Sequence, residues 1–176
     1  MTATGALEGV VVGFVQWAVL RRAIAGVGRR SWVIATVLGA VVAWFFASIP
    51  MTLAGLSAEP GSQAVEEPPQ AMVLLLAGGM GLVAGLILSA AQWRVLRKHV
   101  PRAWLWLPAN ALAWAAGMPL IFAGVDAAQK AGSAAGGVAL MAAAIGTAGA
   151  VVGSVHGIAL VAFRRAIVEE CSPSTR

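Results

Sequence analysis

Five apolar runs, each close to the length that crosses a lipid bilayer, divide this chain and limit its fold more than any other feature. They cover residues 5–20, 32–56, 71–91, 103–125 and 137–163. About 20 apolar residues wound as a helix cross the roughly 30 Å hydrocarbon layer. Inside lipid the backbone must satisfy its own hydrogen bonds, so a span is either a helix or a strand of a closed barrel. A barrel needs alternating segments of about ten residues, and these runs do not alternate. The expected fold is therefore all-α, a polytopic transmembrane helix bundle of five spans, with residues 1–176 forming one domain. Composition agrees: 11% of the residues are charged and 60% are hydrophobic. Soluble domains carry about 25% charged residues, so this chain lacks the polar surface to cover itself in water.

The charges set the expected direction of each span. Arg21, Arg22, Arg29 and Arg30 lie between the first two runs, and Arg94, Arg97, Lys98 and Arg102 between the third and fourth. Arg164, Arg165 and Arg176 follow the fifth. The other joints hold Glu59, Glu66, Glu67, Asp126 and a single base, Lys130. Basic loops remain in the cytoplasm, which puts the N-terminus outside, the C-terminus inside and the chain in a bacterial plasma membrane as a multi-pass protein. Basic residues spread over the ends of apolar runs do not form a nucleic-acid face. The first residues lack a positive leader, so the first span is expected to be retained. Cys171 is the one cysteine, and one thiol makes no internal disulfide. The outer joint at 57–70, rich in proline and acid, is expected to be irregular and wet, and the second at 126–137 to lend residues to either neighbouring helix.

An internal repeat orders the odd spans. Gly9, Gly13, Gln16 and Leu20 superpose without a gap on Gly85, Ser89, Gln92 and Leu96, and on Gly149, Gly153, His156 and Leu160. The even spans match loosely, Trp44 and Pro50 against Trp114 and Pro119. The chain thus reads as two helix hairpins and an extra fifth helix, built from parallel two-helix repeats. Small residues recur every fourth position: Gly5, Gly9 and Gly13; Gly81, Gly85 and Ser89; Gly149, Gly153 and Gly157. Positions i and i+4 share a helix face, and small faces let helices pack closely in lipid. Spans one, three and five are therefore expected to meet along these stripes.

Gln16, Gln92 and His156 sit beside the stripes, and Gln16 and Gln92 are expected at matching depth. A polar side chain in lipid needs a partner, and the three are expected to bond one another. Two uses remain open, a lock on helix register or a polar spot for a ligand or proton. Glu8 either reaches the outer interface or lines a vestibule, and Asn110 is a further candidate on a polar path. His156 raises the question of haem, but the other histidine, His99, lies at the edge of the membrane, so no cofactor and no metal is expected. Trp17, Trp32, Trp93, Trp104 and Trp106 cluster near the basic ends, as an interfacial aromatic belt does. Pro50, Pro108 and Pro119 are expected to kink their helices.

The repeated G-x3-[GS]-x2-Q-W-x2-L-R-[RK] pattern resembles that of small, uncharacterised bacterial integral membrane proteins. The resemblance covers the odd spans, departs from the pattern at His156, Gly157 and Val161, and implies no activity. No HExxH, phosphate loop or GxSxG is present, so catalysis is not expected. The expected role is that of a non-enzymatic accessory or assembly subunit, with the bilayer and other membrane helices as partners, in a homo-oligomer or a larger complex. The alternative is a small transporter or channel with a polar intramembrane path.

Overall fold

The computed structural model describes residues 2–56 and 68–171, and the described part is all-helical. Five long helices follow in order: α1 (Thr2–Ala23), α2 (Arg29–Leu56), α3 (Gln70–Leu96), α4 (Trp106–Gln129) and α5 (Ala134–Cys171), with a short 3₁₀ turn at Ala103–Leu105. Four of them, α2 to α5, are long and apolar enough to cross a membrane. The chain is a helical bundle with the make-up of a membrane protein. The outer joint expected to be irregular lies, up to residue 67, outside the described residues.

Local chemistry sets the helix ends. Gly26 turns the chain after α1 with φ at +88°, where any Cβ would also press on His99, so glycine serves both the turn and the close approach. The Trp17 indole donates to the Val27 carbonyl at 3.0 Å and ties that turn to α1. Pro69 immediately precedes α3. Pro108 falls in the first turn of α4, where the missing N–H removes no helical bond. It starts a helix where the sequence reading expected it to bend one. Ser133 accepts the Gly136 amide at 3.1 Å and caps α5, so the second outer joint closes to a short turn after α4.

Successive helices pack as neighbours, α1 on α2, α2 on α3, α3 on α4 and α4 on α5, while α1 barely touches α5. Short connections favour this arrangement, because sequential elements are usually adjacent in space. The main apolar cluster lies at the basic end. Leu20, Ile24, Trp32, Leu96, Trp106 and Phe163 are all buried there, at most 1% exposed. Away from this cluster the helices are held along small-residue seams.

Those seams correct one expectation. Gly5, Gly9 and Gly13 face α2: a Cβ on Gly9 would lie 2.7 Å from the Val37 Cα, and one on Gly5 would lie 2.6 Å from the Trp44 ring. Gly81 and Gly85 face α4, where a Cβ on Gly85 would lie 2.7 Å from the Asn110 carbonyl oxygen. A Cβ on Gly149, Gly153 or Gly157 would meet nothing within 4 Å among the described residues. The odd helices do not pack on one another along these stripes. Each of the first two stripes is taken by the helix that follows it in the chain.

Candidate functional site

The polar residues of the spans converge beside the apolar cluster and are organised by Gln92. This side chain is fully buried on α3, one turn before the helix ends. Its Nε2 donates to Gln16 Oε1 on α1 at 2.8 Å and to Thr36 Oγ1 on α2 at 3.0 Å. Its Oε1 accepts from the Trp106 indole on α4 at 2.8 Å. An indole N–H only donates, so Trp106 dictates which way the amide points. Thr36 sends its own proton to the Trp32 carbonyl at 2.9 Å, which leaves its oxygen free to accept. Every bond in the set has one donor and one acceptor.

A second knot adjoins the first. Asn110 on α4 is fully buried, and its Nδ2 donates to the Gly85 carbonyl at 2.8 Å. Its Oδ1 therefore accepts, and His156 Nε2 on α5, 2.7 Å away, is the donor. The network thereby fixes the tautomer. The imidazole stacks on the Trp106 ring, centroids 4.7 Å apart and 28° between planes. Trp32 meets the same indole edge-on at 5.9 Å. Trp106 joins the two knots, and together they tie all five helices. Such bonds contribute about 0.6–2 kcal/mol each within a bilayer, so the set stabilises the bundle by several kcal/mol.

The structure brings together Gln16 and Gln92, and it places His156 with Asn110, joined to the glutamines only through Trp106. Thr36 and Trp106 were missed by sequence reasoning. Trp106 was assigned to the interfacial belt, yet it is 1% exposed, and Trp32 is 0% exposed. Both belong to the core. Trp104 is 57% exposed and fits the belt. Trp17 and Trp93 lie under guanidinium groups, with Arg21 5.0 Å above one ring and Arg97 5.1 Å above the other. A signal for Trp106 existed in the spacing: it precedes Trp114 by the same interval as Thr36 precedes Trp44.

The remaining candidates lie elsewhere. Glu8 accepts from the Trp44 indole at 2.7 Å, near the end of the bundle away from the arginines. That bond supplies the partner a carboxylate between helices needs. Ser89 is buried and donates to Leu86 O within its own helix at 3.0 Å. His156 Nε2, an atom suited to holding a haem iron, is engaged by Asn110. Among the described residues no three His, Cys, Asp or Glu side chains gather to hold a metal.

Fold and site together describe a helical bundle with the make-up of a membrane protein and a hydrogen-bonded polar cluster that spares two buried indole N–H groups, those of Trp32 and Trp114, which have no partner among the described residues. Comparison with protein-family models, curated proteins and solved structures finds no match to this chain.

Proposed function

We propose that this is a five-span, non-enzymatic integral membrane protein that serves as an accessory or assembly subunit, offering the free face of α5 to a neighbouring transmembrane helix. One observation carries the reading. The stripes of α1 and α3 are filled at distances that exclude a Cβ, whereas Gly149, Gly153 and Gly157, in the same register, have nothing within 4 Å among the described residues. In lipid a small-residue face gains its stability from a close helix partner. Of the four apolar helices, α5 is also the least buried.

The reading includes a first span in α1, two parallel hairpin repeats with a fifth helix, and the basic ends in the cytoplasm of a bacterium. The repeat is supported by the seams. Gly5 meets Trp44 as Gly81 meets Trp114, and Gly9 meets Ala40 as Gly85 meets Asn110. The polar cluster acts in this reading as a lock on helix register, because the partners of Gln92, Asn110 and His156 are all within the chain.

The test is the mass of the protein purified in mild detergent. An oligomer, or a co-purifying membrane protein, is expected, and Gly153→Leu is expected to release it while leaving the single chain folded. A strict monomer with no companion overturns the proposal.

A further inference from the structure

We infer that the α2 face at the basic end is a seat for an anionic phospholipid, with the phosphate on arginine and one acyl chain in the groove between α2 and α3. The inference rests on the reading that α1, α2 and α3 span a bilayer with their basic ends at one surface.

The groove is built by two helix faces. Ser31, Ile34, Ala35, Leu38 and Val42 form one stripe of α2, and Ile87, Ala91 and Val95 form the facing stripe of α3. It holds a volume of about 350 Å³. Its floor is the close contact where a Cβ on Gly39 would lie 2.9 Å from the Leu88 Cα. From Ser31 to Val42 is eleven residues, or about 17 Å of helix. That is close to one leaflet, about half of the roughly 30 Å hydrocarbon layer. The polar end is formed by Ser31 and Arg94. Below them every wall is apolar, which is the division that a phospholipid presents.

A second cavity of about 340 Å³ adjoins the first on the α1 side, where Phe14, Val33 and Ile34 lie below Arg29 and Arg30. Ile34 lines both. One two-chain lipid astride Ile34 would place a chain in each and its phosphate among Arg29, Arg30, Ser31 and Arg94. Among the described residues the one ion pair is Lys130 with Asp126, at the far end, so these three guanidiniums are not neutralised by a described carboxylate. The first turn of α2 holds no acid, and its free amides add partial positive charge at the same place. Basic pockets between spanning helices hold anionic headgroups on this principle.

The test is native mass spectrometry of the protein in mild detergent, titrated with phosphatidylglycerol or with phosphatidylcholine of the same chains. Preferential retention of phosphatidylglycerol is expected. Arg94→Gln and Arg30→Gln should each weaken it roughly five-fold, while Arg165→Gln, on α5 at the same end, should not. Ala91→Phe should weaken it by filling the groove with every charge retained. Equal retention of the two lipids overturns the inference. So does an Arg165→Gln loss equal to that of Arg94→Gln, which would mean diffuse attraction rather than a seat. The underlying reading is tested separately: a protein that leaves the membrane in alkaline carbonate does not span it, whatever lipid it retains.

Discussion

The stripes of α3 and α5 have the same spacing and opposite surroundings. At Gly85 the backbone of α4 comes so close that a Cβ would lie 2.7 Å from Asn110 O and 2.9 Å from Ala111 Cα. At Gly153 a Cβ would meet nothing within 4 Å among the described residues. α5 does pack on α4, but with another face, where Ala144 lies against Gly124 and Val152 against Gly117. There the small residues belong to α4. A stripe of glycines thus permits close approach without directing it. The direction comes from chain order, through the next helix to arrive on a short connection.

The largest effect should come from breaking this contrast. Gly85→Leu forces a branched side chain into the backbone of α4, where nothing flexible can yield. Overpacking of this kind costs about 3 kcal/mol or more, enough to lower the Tm in detergent by on the order of 10 °C. Gly153→Leu should leave the Tm of the single chain nearly unchanged, since the added atoms enter open space. Equal losses from the two substitutions would mean that α5 is not open as described.

Next in size is Gln92→Leu. It removes three hydrogen bonds and leaves the Trp106 indole buried without an acceptor. At about 0.6–2 kcal/mol for each bond, the loss should be near 3 kcal/mol. Gln16→Leu removes one bond from a half-buried side chain and should cost about 1 kcal/mol. Thermal unfolding of both variants checks the ratio. A smaller loss for Gln92→Leu than for Gln16→Leu would show that α3 is not the helix on which the polar network turns.

The sequence made the helices and the first of these polar contacts legible. Apolar run length located the helices, and Gln16 and Gln92, both four residues before a leucine, shared a position in the repeat pattern that let their meeting be expected. The rest was hidden for a physical reason. Periodicity states which residues share a face, and it is silent on the direction that face takes around the helix axis. Hence the stripes were assigned to the odd helices, and Trp106 to the lipid interface by its position near a basic joint. His156 was grouped with the glutamines by alignment. Its bond goes to Asn110 because α4, and not α1 or α3, is the helix beside α5.

Asn110→Ala sharpens the same contrast at lower cost. α3 is held by a filled seam and by Gln92, whereas the described polar tie of α5 to the bundle is the His156 bond. Losing Asn110 should cost about 1–2 kcal/mol. It should also accelerate amide exchange in α5 more than in α3, a difference that hydrogen exchange in detergent reads directly. His156→Ala in the Asn110→Ala background should add less than it does alone, because the shared bond is already gone. Full additivity would mean that the two side chains act independently despite the 2.7 Å contact.

Among the polar substitutions the smallest effect should come from Glu8→Gln, on the stripe-bearing helix α1. Its partner, the Trp44 indole, is a donor and requires only an acceptor oxygen. Glu8→Gln keeps that oxygen and should change stability by less than about 1 kcal/mol, whereas Glu8→Ala removes it and should cost about 1–2 kcal/mol. The ordering separates two roles for the acid. If its work is to satisfy Trp44 where that ring closes over Gly5, the amide replaces it and the alanine does not. A Glu8→Gln loss as large as that of Glu8→Ala would show that the negative charge itself is used. The α1–α2 seam would then differ in kind from the α3–α4 seam, where Gly81 takes the corresponding place beside Trp114 and Ala84 stands where Glu8 does.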